Sequence, residues 1–245
     1  MKKSKYLIII GITIFTAFTF ILLPNSISSD NDVIKQLSFI LFQGIKTPTI
    51  DVFMKIFLTL LPILILVYPI SNILIEDLQI CSVYTFTRYA SKIKWYFKKI
   101  FLVFIACFLA VAIYFIFILA TFFIKGVTNI SSLNEIIFLF INILLFIFLI
   151  ALFINVTSLL MANHFAYLTN VCALILSAIL ATIKVFNTNI LYYFNPINSY
   201  FYYWKEGNKL INSSLSLLIT SVIIIVIGAI LIKKIDIFSI DKELT

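Results

Sequence analysis

Residues 136–183 read IIFLFINILLFIFLIALFINVTSLLMANHFAYLTNVCALILSAILATI, a stretch without a single Asp, Glu, Lys or Arg. As one helix, these 48 residues would extend about 72 Å, more than twice the hydrocarbon thickness of a bilayer. We therefore expect the chain to turn back inside the stretch. Asn163-His164 is the most polar point near its middle, and the turn is predicted there.

The composition of the whole chain agrees with a membrane location. Of 245 residues, 63% are hydrophobic and 11% are charged, whereas a soluble domain is roughly half apolar and about a quarter charged. A water-soluble fold, a nucleic-acid-binding domain and a disordered chain are thereby excluded. The sequence predicts an all-α integral membrane protein, one transmembrane domain over residues 1–245 with six helices. The predicted spans are residues 6–23, 53–75, 100–124, 136–161, 165–183 and 210–232.

The distribution of basic residues predicts the orientation of these spans. Eleven of the 18 Lys and Arg residues lie in the two termini and in the loop between the second and third spans, close to span ends. Cytoplasmic loops carry such an excess. We therefore expect a multi-pass protein of the cell membrane with both termini in the cytoplasm.

Residues for catalysis are scarce. The chain has one histidine, His164, and its five glycines and three cysteines are widely scattered. These numbers do not suit a metal cluster, a phosphate-binding loop or a disulfide framework. We expect no enzymatic activity, no cofactor and no metal in this chain.

Polar residues inside the spans are uncharged, and we interpret them as interhelical hydrogen-bonding groups. In the fourth and fifth spans they are Asn142, Asn155, Ser158, Asn170 and Ser177. Pro62 and Pro69 in the second span free backbone carbonyls, which predicts a bent helix packed inside the bundle.

The loop between the second and third spans is the most informative polar segment. It begins with the acidic pair Glu76-Asp77, and Arg88, Lys92, Trp95 and Lys99 follow with helical spacing. Two interpretations remain open: an interfacial helix whose cations meet anionic lipid headgroups, and a docking surface for a cytoplasmic partner. Residues 80–89 are semi-polar and too short to span a membrane, as a compact helical element would be.

This pattern resembles the permease subunits of type-2 ABC transporters, in which the same loop carries a coupling helix that binds a separate ATPase. A second similarity is Asn195-Pro196-Ile197-Asn198, since these permeases commonly have an extracellular re-entrant turn before the last span. The resemblance implies a turn formed with Asn195, Pro196 and Asn198. The ATPase-coupling residues it implies are Glu76, Asp77, Ile80, Tyr84, Phe86, Arg88, Tyr89, Lys92 and Trp95.

The resemblance also implies the partners of the chain. These are a separate ABC ATPase that binds ATP and Mg, a second permease as a homodimer or sister subunit, and membrane lipid, but no nucleic acid. The cargo it implies is hydrophobic or amphipathic, with antimicrobial or toxin peptides among the candidates for export or immunity.

Three other interpretations compete with the permease. In the first, the chain is a non-transporting immunity or scaffold protein that binds a peptide or partner in the bilayer. A secondary carrier is less consistent with the sequence, because inverted halves and an intramembrane charge are not evident. A membrane-embedded enzyme is the least consistent, given the few titratable residues.

Overall fold

The computed structural model describes residues 60, 63–76, 91–124, 133–182, 195–197 and 210–234. These residues are mainly helical and contain no strand. The helices are α1 (Ile63–Glu76), α2 (Lys92–Ile124), α3 (Leu133–Thr157), α4 (Asn163–Thr182) and α5 (Leu210–Lys234). Within the described ranges, four helices, α2 to α5, are long and apolar enough to cross a membrane. An all-helical membrane protein is the class these helices define.

The predicted spans overlap these helices unequally. The run 6–23 lies outside the described residues, and α1 covers the second half of the run 53–75. The predicted turn between the fourth and fifth spans is formed by residues 158–162, slightly earlier than Asn163-His164. Two hydroxyls bond the backbone at the end of α3. Thr157 donates to the Phe153 carbonyl and Ser158 to the Asn155 carbonyl, and both are local side-chain-to-backbone bonds.

The helix α2 begins at Lys92 and not at residue 100, so the predicted amphipathic element and the third span form one continuous helix. Ser91 marks its start, since the Ser91 Oγ accepts a hydrogen bond from the Lys94 N–H at 3.2 Å. With 33 residues, α2 is about 50 Å long, whereas crossing the hydrocarbon core takes about 30 Å. Its first turns therefore extend beyond the apolar region.

The helix α3 is the centre of the bundle, in contact with α2, α4 and α5. It is the most buried of the four long helices, while α4 and α5 leave most of their apolar surface exposed. Such surfaces suit lipid, in which an apolar side chain needs no cover from water.

Five helix ends meet on one side of this bundle. Leu74, near the end of α1, bonds Asn155 near the end of α3. Asn72 bonds Asn163 at the start of α4, and Tyr96 in the second turn of α2 bonds Ile225 in the second half of α5. Successive helices therefore run in alternating directions, as in an up-and-down bundle.

Candidate functional site

The helix α1 is interrupted in its middle. Pro69 lies in a short 3-10 turn, Tyr68–Ile70, and Ser71 and Asn72 form a turn before the helix resumes. Proline has no N–H to donate and its ring disturbs the preceding turn of an α-helix. The hydroxyl of Ser71 donates to the Tyr68 carbonyl at 2.6 Å, so a side chain bonds the backbone locally at the break.

Asn155 of α3 completes the broken hydrogen-bond ladder. Its Nδ2 donates to the carbonyls of Ile70 at 3.1 Å and Ala151 at 2.8 Å, and its Oδ1 accepts from the Leu74 N–H at 3.1 Å. In an unbroken helix, the Leu74 N–H would bond the Ile70 carbonyl directly. The fully buried amide of Asn155 is thus inserted between two groups of α1 that would otherwise bond each other.

The helix α4 holds α1 on both sides of the break. At the end of the break, the side chains of Asn72 and Asn163 are hydrogen-bonded. Before the break, the Tyr167 hydroxyl donates to the Leu64 carbonyl at 2.9 Å, and its ring packs edge-on against Tyr68 at a centroid distance of 5.4 Å. We call this set, defined by Ser71, Asn72, Asn155, Asn163 and Tyr167, the polar hinge.

A further bond fixes α3 and α4 to each other. The Nδ2 of Asn170, a buried residue of α4, donates to the Ile150 carbonyl of α3 at 3.1 Å. The predicted interhelical role is therefore confirmed for Asn155 and Asn170. Ser158 and Ser177 do not have this interhelical role, because their hydroxyls bond carbonyls of their own helices or helix ends. The helices α3 and α4 form a joined support for the interrupted helix α1.

Three of the predicted coupling residues lie within the described ranges. Glu76 is the last residue of α1 and is half-buried, and Lys92 and Trp95 lie in the first turn of α2. The other predicted residues lie outside the described ranges: Asp77, Ile80, Tyr84, Phe86, Arg88 and Tyr89.

Trp95 does not lie on the exposed face that its spacing from Arg88 and Lys92 predicts. It is fully buried together with Tyr96. The exposed face at this end of α2 instead carries Lys94 and Lys98. The physical reason is that the two aromatic rings bury far more apolar area than lysine stems, and their packing sets the rotation of the helix.

The predicted re-entrant turn is described at Asn195, Pro196 and Ile197, and Asn198 lies outside the described residues. The Asn195 Nδ2 donates to the Ser177 carbonyl of α4 at 2.8 Å, while its Oδ1 accepts from the Ile197 N–H at 3.0 Å. Ile197 is fully buried. Ser177 lies 14 residues beyond the start of α4, about 21 Å along the helix, so the turn packs far from the polar hinge.

Asn195→Ala is expected to lower the free energy of unfolding by about 1–2 kcal/mol, because two hydrogen bonds made by one side chain are lost. Unfolding in mixed detergent micelles measures the change. In Asn195→Ser the hydroxyl keeps the short bond to the Ile197 N–H but does not reach Ser177, so an intermediate loss is expected. Equal stability of wild type and Asn195→Ala would show that the turn does not depend on this side chain.

The chemistry available at the polar hinge is that of neutral amides, hydroxyls and backbone groups. Among the described residues, no group of three or more His, Cys, Asp or Glu is placed to hold a metal ion. Comparison of the chain with models of protein families, with curated proteins and with solved structures found no match. Neutral hydrogen bonds that join an interrupted helix to two neighbours are suited to a change of shape.

Proposed function

We propose that the chain is the permease subunit of a type-2 ABC-like transporter in the cell membrane, with six spans and both termini in the cytoplasm. It moves a hydrophobic or amphipathic substrate with ATP hydrolysed by a separate subunit. The observation that carries the proposal is the interrupted helix α1. It ends at Glu76, where the loop that resembles an ATPase-coupling segment begins.

The polar hinge supports two hydrogen-bonded forms of α1. In the described form, the amide of Asn155 bonds both Ile70 and Leu74. If Asn155 withdraws, the Leu74 N–H and the Ile70 carbonyl are free to bond each other as in a regular helix, and Asn155 keeps its bond to Ala151. Neither form leaves a backbone group of this set unpaired in an apolar environment, where an unpaired group is costly. A transport cycle requires such a bistable element.

Force on the coupling loop would act directly on this element. Residues 73–76 are the last turn of α1, between the polar hinge and the loop. A partner that pushes or pulls the loop after Glu76 therefore acts on the short, hydrogen-bonded end of α1, while α3 and α4 stay joined through Asn170. In the proposed cycle, ATP and Mg bind only to the partner ATPase.

The exposed apolar surfaces of α4 and α5 support the remaining partners, a second permease and lipid. Large exposed side chains on these helices are Phe165, Leu168, Leu176, Leu215, Leu218, Val226 and Ile230. Either a second copy or a sister subunit fits such a surface. Mainly apolar helices favour a hydrophobic or amphipathic cargo, and an antimicrobial or toxin peptide is the class we propose.

Copurification tests the proposal. The tagged chain is extracted from its native membranes in mild detergent, and ATP hydrolysis is measured in the eluate. We expect ATPase activity with the wild type and a loss of about tenfold or more for Tyr84→Ala/Arg88→Glu, a typical result of removing central contact residues. The matched control is Tyr203→Ala/Lys205→Glu, which changes the same charge on the opposite predicted side and is expected to keep the activity.

Two outcomes would contradict the permease. A well-folded wild-type protein that brings no ATPase would favour the immunity or scaffold protein instead. ATPase activity that remains undiminished in the loop variant would show that the partner binds elsewhere.

A further inference from the structure

The start of α2 is fixed to α5 by one buried side chain. Tyr96 and its neighbour Trp95 are both fully buried, although they lie in the first two turns of a helix that begins at Lys92. The Tyr96 hydroxyl donates to the Ile225 carbonyl of α5 at 3.1 Å. Helix ends ordinarily fray, so a buried and hydrogen-bonded tyrosine this close to the end restrains it.

Gly228 allows α5 to approach this tyrosine closely. A Cβ at position 228 would meet both the Tyr96 hydroxyl and the Val156 Cγ2 of α3. Gly228 and Val156 are themselves buried. Three helices therefore pack around the Tyr96 side chain without room for a side chain at position 228. We call this set, defined by Tyr96, Val156, Ile225 and Gly228, the tyrosine lock.

Ring contacts continue the attachment of α2 along α3. Phe104 packs edge-on against Phe148 at a centroid distance of 5.3 Å, and Phe115 packs in the same way against Phe140 at 5.2 Å. The helix α2 is also one continuous helix of 33 residues without a proline, and extending an existing helix is far easier than starting a new one. The first turns of α2 therefore belong to one long, anchored element.

The α1 flank of the loop is held in a different way. Residues 73–76 are a single helical turn that follows the interruption of α1. Leu74 is buried, but its N–H bonds the side chain of Asn155 and not a carbonyl of its own helix. A single turn gains little from the cooperativity of a helix. Residues 77–91 thus join a short turn on one flank to a long, anchored helix on the other.

Adjacent residues of α3 contact both flanks. Asn155 bonds α1, and Val156 borders Gly228 in the tyrosine lock. Because α3 is the most buried of the long helices, both flanks are held against the same part of the bundle. A movement of the loop that keeps the tyrosine lock intact must therefore be taken up by α1.

We propose that the tyrosine lock holds the α2 flank of the loop in place and that residues 73–76 are the flank that moves. In the transport cycle proposed above, force on the loop would then reach α1 while α2 stays bonded to α5. The lock is a property of this chain alone, and it stands or fails without a partner ATPase.

Hydrogen–deuterium exchange of the full-length chain in lipid nanodiscs, read out by mass spectrometry, tests this inference without ATP. In the wild type, we expect the amides of residues 73–76 to exchange at least about tenfold faster than those of residues 96–100, because local opening is easiest in short, weakly cooperative segments. Tyr96→Phe keeps the ring and removes one hydrogen bond, which corresponds to about a fivefold shift of an opening equilibrium. We expect about fivefold faster exchange at residues 96–100 and no change at residues 73–76.

Phe101→Leu is the matched control, because it changes an exposed ring of the same helix, and it is expected to leave both segments unchanged. Equal exchange of the two segments in the wild type would overturn the inference, as would unchanged exchange at residues 96–100 in Tyr96→Phe. An equal rise in both segments would also overturn it, since the two flanks would then open as one unit. A chain that brings no ATPase would give the same exchange pattern, so failure of the lock is distinguishable from failure of the permease.

Discussion

Asn155→Ala is expected to lower the free energy of unfolding by about 2–3 kcal/mol and to shift α1 to the form in which the Leu74 N–H bonds the Ile70 carbonyl directly. The described form would leave the Ile70 carbonyl and the Leu74 N–H without Asn155, their partner, and each buried unpaired group costs about 1–3 kcal/mol. A direct hydrogen bond between the Leu74 N–H and the Ile70 carbonyl recovers part of this loss. The expected loss of stability is therefore smaller than the sum of the two penalties. Unfolding in mixed detergent micelles measures it.

Two variants give this prediction its controls. Ser158→Ala removes a buried hydroxyl of the same region that bonds the Asn155 carbonyl within one helix end, and we expect a loss of about 1 kcal/mol or less. Adding Pro69→Ala to Asn155→Ala should restore stability, because an alanine supplies the missing N–H and permits a regular helix. A loss no larger than that of Ser158→Ala would contradict the role of Asn155.

Gly228→Ala is the second substitution with a large expected effect. A Cβ at Gly228 would clash with the Tyr96 hydroxyl and lie 2.9 Å from Val156 Cγ2. Both neighbours are buried, Tyr96 fully, and the Tyr96 hydroxyl also bonds Ile225. Overpacking typically costs about 1–3 kcal/mol, and loss of the hydrogen bond adds about 1 kcal/mol. We expect a total loss of about 2–4 kcal/mol.

A double-mutant cycle tests the cause of this loss. Tyr96→Phe removes the closest of the three atoms that the new Cβ meets and leaves the Cζ of residue 96 and the Val156 Cγ2 at 2.9 Å. The double variant Gly228→Ala/Tyr96→Phe should therefore be more stable than the sum of the single effects, with part of the loss remaining. Val226→Leu, a small-to-large change at an exposed position of α5, is the control and should have little effect. Additive losses in the cycle would show that the glycine is not required for the approach of Tyr96.

The sequence predicts the membrane class well because a hydrocarbon environment constrains every residue of a span. It predicts the start of α2 less well. Lysines at 92–99 suggest a separate surface element, but the burial of Trp95 and Tyr96 continues the helix without a break. Periodicity gives the faces of a helix and cannot show whether two neighbouring helical patterns are joined.

The polar hinge was only partly predictable, for a different reason. Pro69 and Asn155 are each recognisable as unusual in an apolar run, and the sequence predicts a bent helix from the first and an interhelical hydrogen bond from the second. Their connection depends on Leu74 and Asn155, which are 81 positions apart, and no spacing rule links residues at that distance. The contributions of Asn72 and Tyr167 are likewise visible only when α1 and α4 lie side by side.

The central claim is that ATP hydrolysed by a partner changes the shape of α1 at the polar hinge. Spin labels at Ile65→Cys, before the break, and at Leu160→Cys, after α3, would measure this by double electron–electron resonance. Both positions are exposed, and Cys81, Cys107 and Cys172 are replaced by serine or alanine. The control pair, Ile137→Cys and Phe165→Cys, joins α3 and α4 without crossing the break.

With the copurified ATPase present, ATP and vanadate should shift the distances of the 65/160 pair by several ångströms and leave the 137/165 pair unchanged. Asn155→Ala should show the shifted distances without ATP. Identical 65/160 distances with and without ATP, in a complex that hydrolyses ATP, would contradict the claim.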